Sequence, residues 1–171
     1  MALVAVLSAI AIPQVLVTLD SARTVGAARY IASRLMLARA RAVQRSASVA
    51  IRFDRDSRGF RFAAYQDGNH NGVRLRDIEL QVDREIEQDV RLSELFPGVD
   101  FGLRIDGQAA DPIQLGGTSL LTFTAVGTAT SGSLYVRGRN GLQYAVRVLG
   151  ATGRTRLQRY DEQQRDWTDE F

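Results

Sequence analysis

The sequence predicts an α+β fold in which one long N-terminal helix packs on an antiparallel β-sheet head. Residues 1–19 carry no charge, and an amphipathic helical pattern follows them to about residue 47. Residues 48–160 alternate apolar and polar side chains in short runs separated by glycine-containing turns, which is typical of strands. We therefore divide the chain into a hydrophobic stem (1–19), the amphipathic half of the same helix (20–47), a β-rich head (48–160) and a charged C-terminal tail (161–171).

The composition narrows the classes of function. All 22 basic residues are arginine, the net charge is +3, and cysteine is absent. Without cysteine the chain forms neither disulfides nor thiolate metal sites. The arginine excess lies in residues 1–53 and 133–171, whereas residues 54–132 are acidic. This uneven charge indicates directed contacts rather than general coating of nucleic acid.

Three interpretations compete for the stem. It lacks the basic n-region of a secretory signal peptide, since no arginine precedes Arg23. It is slightly shorter than the ~20 apolar residues of a complete membrane span, and Pro13 and Gln14 interrupt it. We favour the third interpretation, the later part of a longer membrane span that Pro13 kinks. A simple N-terminal core helix is the alternative.

An apolar stripe about 100° wide marks the amphipathic half of the helix. Its members recur at three- and four-residue spacing: Ala28, Ile31, Leu35, Ala38 and Ala42. Arginines occupy the other faces: Arg23, Arg29, Arg34, Arg41 and Arg45. We expect the stripe to lie on a sheet, which its small side chains allow to approach closely.

The head contains a series of predicted strands. They are residues 48–53, 60–65, 79–92 (loosely extended), 100–105, 120–124, 133–139, 142–149 and 154–160. Residues 54–59 are predicted as a turn and residues 107–118 as a loop. Asn140–Gly141 is a strong signal for a two-residue hairpin turn.

Residues 67–72 (DGNHNG) match the first half of a calcium-binding loop. The candidate ligands are Asp67, Asn69, Asn71, Asp77 and Glu79. The full pattern requires a bidentate carboxylate six residues after Gly72, a position that Ile78 occupies here. We favour the alternative, an Asx-rich turn whose side chains bond to their own backbone.

No residue constellation points to catalysis. His70 is the only histidine and lies in a polar loop, so it has no partner for a zinc site or an obvious place in a catalytic triad. The serines lack a nucleophile-elbow context, and no glycine-rich phosphate loop is present. The acidic residues between Asp83 and Asp89 are interpreted as a solvated strand face. The sequence therefore disfavours an enzyme.

Several motifs together resemble one known family. The AIAIPQ run at residues 9–14 resembles the end of the hydrophobic segment of type IV pilins and pseudopilins, with Pro13 at the position of the kinking proline. The motifs of the head follow in the order of the GspH/FimT group of minor pseudopilins. They are D-G-N-x-N-G at 67–72, F-x-x-x-G at 123–127, a strand pair at 134–148 and T-G-R-x-R at 152–156.

This resemblance implies a non-catalytic structural subunit of the pseudopilus of a type II secretion system. Its helix would anchor it in the bacterial inner membrane by a single pass, with the head in the periplasm. Its implied partners are other pseudopilins, through the N-terminal helix, and secreted cargo. In that family a leader ending in glycine and a nearby glutamate precede the hydrophobic run, so the resemblance implies that both lie upstream of Met1.

The resemblance also carries an alternative function. Arg154 and Arg156 share one face of a predicted strand, which Arg147 joins from a neighbouring strand. Guanidinium groups bind phosphate in a bidentate manner. In FimT-type minor pilins of type IV pili, a G-R-x-R motif at this place is associated with DNA capture, which implies binding of double-stranded DNA. We favour the competing interpretation that these arginines pair with the acidic tail, namely Asp161, Glu162, Asp166 and Asp169.

Overall fold

The computed structural model describes the backbone of residues 2–170 and the side chains of residues 16–170. One helix, α1 (Ala2–Arg45), forms the N-terminal quarter of the chain. The remaining elements, in chain order, are β1 (Val49–Asp56), β2 (Gly59–Gln66), α2 (Leu75–Glu79), β3 (Arg84–Arg91), α3 (Leu92–Leu95), β4 (Val99–Phe101), β5 (Leu103–Ile105), β6 (Gln108–Ala110), β7 (Ile113–Gln114), β8 (Leu120–Phe123), β9 (Gly132–Gly138), β10 (Gln143–Leu149), β11 (Arg154–Asp161) and β12 (Asp166–Asp169).

Two antiparallel sheets form the head. The first has the strand order β3-β2-β1-β8, and the second has the order β12-β11-β10-β9-β4, with β7 also pairing with β9. Strands β5 and β6 form a separate two-stranded hairpin. Helix α1 packs against β1 and β8 of the first sheet and against β4, β9, β10 and β11 of the second. The predicted α+β fold, with a long helix on an antiparallel head, is confirmed.

The apolar stripe of α1 forms the centre of the core. Ala28, Ile31, Leu35, Ala38 and Ala42 are all at most 4% exposed. The last four of these pack with apolar side chains from both sheets, among them Phe123 of β8 and Val146 of β10. Four aromatic rings fill the part of the core between the sheets: Phe53, Phe60, Phe62 and Phe101. The helix therefore joins the two sheets into one unit.

The structure corrects the boundaries predicted for residues 54–92. Strands β1 and β2 extend to Asp56 and from Gly59, so the turn between them is shorter than residues 54–59. The extended stretch predicted from residue 79 does not begin there. Residues 75–79 form α2, and a turn follows it in which the N–H groups of Val82 and Asp83 donate to the Asp77 carbonyl. The strand starts only at Arg84.

Two segments predicted to lack strands contain them. The predicted loop 107–118 includes β6, which pairs with β5, and β7, which adds to one edge of β9. The predicted charged tail includes β12, which pairs with β11. All three strands are two to four residues long, and such short runs leave no alternation that a sequence pattern detects.

The stem is described only in part. Pro13 lies outside the residues whose side chains the structure describes, so the predicted kink stays a prediction. Beyond the head, Leu16 is 56%, Val17 57% and Leu19 42% exposed. In the part of the chain that was described, no helix meets the length and apolarity of a membrane span.

Helix α1 lies close to the second sheet at Gly138. Thr24 is fully buried there, and its hydroxyl donates to the Asp20 carbonyl one helical turn earlier. A Cβ atom placed on Gly138 would lie 2.0 Å from the Thr24 hydroxyl oxygen. The glycine at the end of β9 is thus a packing requirement of this fold.

We expect Gly138→Ala to destabilise the protein by about 1–3 kcal/mol, because the added methyl group forces α1 and β9 apart. Urea unfolding followed by circular dichroism measures the change. Gly117→Ala is the control, since nothing lies within 4 Å of a Cβ at that position. Equal stability of the two variants would contradict this account of the packing.

Candidate functional site

The three predicted site arginines lie on the outer face of the second sheet, the face turned away from α1. Val146 and Val148 of β10 point into the core, so Arg147 between them points outward. Arg147 pairs directly with Arg156 of β11, and directly paired residues share a face. Arg154 lies two residues before Arg156 on the same strand and therefore on the same face. The structure brings together the three residues that the sequence predicts.

Arg147 is held by its neighbours. Its Nε donates to Gln158 Oε1, and its Nη1 lies 3.4 Å from Ser133 Oγ. Its guanidinium also lies over the Trp167 ring, 5.9 Å from the ring centroid. These contacts satisfy several of its donors and restrain the side chain, so Arg147 is less available to a ligand than its position on the face alone indicates.

Arg154 and Arg156 are more accessible. Arg156 is 63% exposed and has one ion-pair contact, between its Nη1 and Asp169 Oδ2 at 3.9 Å. Arg154 is exposed, and its guanidinium has no hydrogen-bond or ion-pair partner among the side chains described. Exposed ion pairs at such a distance contribute little to stability. Both arginines therefore keep donors directed to solvent.

The predicted pairing with the acidic tail is found for one residue pair only. Asp169 contacts Arg156, and it also accepts a hydrogen bond of 2.9 Å from Gln158 Nε2. Asp161 and Asp166 accept instead from backbone N–H groups close to them in the chain. Strand β12 determines this difference, because its alternation puts Trp167 and Asp169 on the outer face and Asp166 on the other.

Sequence reasoning missed Gln158 and Trp167 in this patch. Trp167 packs beside Tyr135 and Tyr160, with ring centroids 5.3 and 5.1 Å apart. It also joins the small apolar cluster of the outer face with Ala145. A lone tryptophan in a charged segment is the signal that was present, since a large aromatic ring in a surface strand usually covers another apolar surface.

Two glycines of the motifs meet where β11 begins. Gly153 has φ of +59° and Gly127 has φ of +85°, a region that side chains other than glycine rarely adopt. A Cβ on Gly153 would lie 2.5 Å from the Gly127 carbonyl oxygen, and that oxygen accepts a 3.1 Å hydrogen bond from Arg39 Nε of α1. The glycines of F-x-x-x-G and G-R-x-R therefore form one junction between the helix and both loops.

A family model described as type II transport protein GspH matches residues 27–153. The chain belongs to this family. The match begins in the buried stripe of α1, spans both sheets and ends at the glycine junction. Arg154, Arg156 and β12 lie beyond the matched residues. No curated protein and no solved structure significantly matches the chain.

In this GspH-family chain the predicted calcium loop bonds mainly to itself. Asp67 is 5% exposed and accepts from the N–H groups of Asn69 and Gly72. Asn71 Nδ2 donates to Asp77 Oδ2 at 3.1 Å, while Asn69 Oδ1 accepts from the Asn71 N–H. These contacts are those of an Asx-rich turn.

The arrangement does not favour calcium. Glu79 is exposed at the end of α2 and contacts none of the other candidate ligands among the hydrogen bonds described. Across the residues searched, no group of three or more histidine or carboxylate side chains is placed to hold a metal ion. The carboxylate oxygens of Asp67 are already taken by backbone donors. A calcium site here stays a prediction that the donor set does not support.

The acidic run after the loop differs from the solvated face that the sequence predicts. Asp83 is 2% exposed, and its carboxylate accepts from the N–H groups of Gly68 and Arg74. It therefore links the two ends of the 67–72 loop. Glu87 of β3 forms ion pairs with both Arg34 and Arg41 of α1. His70 is exposed, with φ of +62°, in agreement with the solvated role predicted for it.

Tyr144 of β10 contacts Glu170, the residue that follows β12. It is 1% exposed, and burial raises its pKa to about 12, an effect to which the neighbouring carboxylate of Glu170 adds. The backbone N–H of Glu170 also donates to the Leu157 carbonyl. Residue 170 thereby holds the strand that carries Trp167 and Asp169 against β11.

We expect the buried Tyr144 to ionise only at strongly alkaline pH. Its folded-state pKa of about 12 lies above the unfolded value of about 10, so the stabilisation is complete below pH 10 and is lost as the pH rises through 12. Tyrosinate absorbance during alkaline titration measures this, and Tyr144→Phe is expected to remove the step near pH 12. Retention of that step in Tyr144→Phe, or its loss in the control Tyr160→Phe, would contradict the assignment.

Proposed function

We propose that this protein is a minor pseudopilin, a non-catalytic structural subunit of the pseudopilus of a type II secretion system. The N-terminal part of α1 inserts in the bacterial inner membrane and later packs with the helices of sister subunits in a short filament. The head faces the periplasm and contacts other pseudopilins or secreted cargo. Membership of the GspH family supports the general role.

One observation carries this proposal most directly. From Thr24 onward one face of α1 is buried and only its other faces carry exposed apolar residues such as Met36, whereas Leu16, Val17 and Leu19 precede this buried face and are all exposed. The head leaves these side chains without apolar cover, and lipid or the helix of another subunit supplies it in an assembled filament. The continuous backbone of α1 across this point supports a single rod shared by head and filament.

Single-cysteine cross-linking tests the proposal, because the chain has no cysteine of its own. We expect Val17→Cys to form cross-links to other pseudopilins in cells that contain an assembled secretion system. Ser57→Cys, in the exposed turn between β1 and β2, is the matched control on the head and is expected to form none. Absence of cross-links at positions 16, 17 and 19 would count against packing of the stem in a filament.

We also propose a second candidate function, binding of double-stranded DNA by a FimT-like minor pilin of a type IV pilus. The observation that favours it is the exposure of Arg154 and Arg156 on one face, with donors directed to solvent. Guanidinium groups in that arrangement suit successive phosphates of a nucleic-acid backbone. The family match ends before both residues, so support for this function comes from the geometry of the outer face.

A gel shift at increasing salt tests DNA binding. We expect Arg154→Ala/Arg156→Ala to weaken binding and to lower the slope of log K against log salt by about two, one for each arginine that no longer neutralises a phosphate. The control Arg58→Ala/Arg76→Ala removes the same charge from two exposed positions away from the outer face, in the β1–β2 turn and in α2. Equal weakening in the two double variants, or no shift by the unmodified protein at low salt, would reject a specific role for the outer face.

A further inference from the structure

Strand β12 covers part of the arginine face with its own acidic group. Asp169 pairs directly with Gln158, and its carboxylate contacts both Gln158 Nε2, at 2.9 Å, and Arg156 Nη1, at 3.9 Å. Gln158 in turn accepts from Arg147. A carboxylate of the chain thus lies on the edge strand of the outer face, beside an arginine whose donors suit an external oxyanion.

We infer that Asp169 is a built-in competitor that weakens the binding of phosphate groups at Arg156. This inference rests on the second proposed function, DNA binding at the outer face. A carboxylate and a phosphate both offer oxygen acceptors to a guanidinium, so each uses the same donors of Arg156. A phosphate that approaches Arg156 therefore meets both an occupied donor and the repulsion of a like charge.

The geometry makes this competition partial rather than complete. Asp169 is 51% and Arg156 63% exposed, so solvent reaches both side chains and screens their interaction. Two unit charges 4 Å apart in water interact by an amount that corresponds to about a fivefold change in an equilibrium constant. We therefore expect Asp169 to lower DNA affinity about fivefold at low salt and less at high salt.

Trp167 of the same strand contacts Arg147, the third arginine of the outer face. Its ring lies against the Arg147 guanidinium, which Gln158 and Ser133 also hold. Arg147 is thereby fixed against the sheet, and the arginines left to bind phosphates are Arg154 and Arg156. Asp169 contacts Arg156, and no ion pair between Asp169 and Arg154 is found among the described residues. The competition is therefore directed at Arg156.

The sequence of β12 provides a matched control. Asp166 and Asp169 end the same short strand, but Asp166 belongs to the opposite face and its carboxylate accepts the Trp167 N–H. Asp166→Asn and Asp169→Asn change the net charge equally. Asparagine at position 169 also keeps an oxygen acceptor for Gln158, so β12 retains its hydrogen bond to β11.

The test is fluorescence anisotropy of a labelled DNA duplex with the full chain, for the unmodified protein, Asp169→Asn, Asp166→Asn and Asp169→Asn/Arg156→Gln. We expect about fivefold tighter binding by Asp169→Asn alone, little change for Asp166→Asn, and loss of the gain when Arg156 is also replaced. Circular dichroism confirms that each variant is folded.

The other outcomes separate this inference from the function on which it rests. DNA binding that Asp169→Asn leaves unchanged would overturn the competitor role and leave the DNA function standing. Equal gains in Asp169→Asn and Asp166→Asn would also overturn it, since net charge alone would then explain the result. Absence of binding by every protein, Asp169→Asn included, would reject both the DNA function and the competitor.

Discussion

The close packing of one helix against two sheets is the constraint on which the rest of this structure depends. Each sheet has an apolar face that needs another layer to bury it, and the stripe of α1 lies against both faces. Small residues allow the approach, since Ala27, Ala28 and Ala42 are fully buried where larger side chains would hold the layers apart. Gly138 and Gly153 extend the same principle to the sheet and to the start of β11.

Charge adds a second connection between helix and head. The uneven distribution of arginine and acidic residues indicates directed contacts, and the ion pairs of Glu87 with Arg34 and Arg41 are one such contact. Glu87 lies on β3, an edge strand of the first sheet. Its carboxylate between two guanidinium groups links that edge to α1, in addition to the packing of Ile86 and Val90 on the core.

Long periodic elements were predictable, and short ones were not. The stripe of α1 spans several turns, so its three- and four-residue spacing identifies the buried side chains individually. Asn140–Gly141 likewise predicts the β9–β10 hairpin, but the connection is residues 139–142 rather than the two-residue turn expected, and only Gly141 of the pair has a positive φ. Strand β12 could not be predicted in this way, since it is four residues long and forms through pairing with β11 and the packing of Trp167.

The candidate site was predictable to the same degree as the fold. Strand alternation places Arg154 and Arg156 on one face, whereas the contacts of Asp169 depend on where β12 docks, a tertiary property that residue spacing in the tail does not encode.

The two motifs that resemble a known group have different physical origins in this chain. Gly127 and Gly153 are required by the fold, because a Cβ on Gly153 would meet the Gly127 carbonyl and the Arg39 side chain of α1. Any chain that packs its helix this way needs glycine there, whatever it binds. Arg154 and Arg156 have no comparable role in the core, since their side chains point to solvent. In the G-R-x-R motif, therefore, the glycine indicates how the helix packs, and only the arginines bear on what the protein binds.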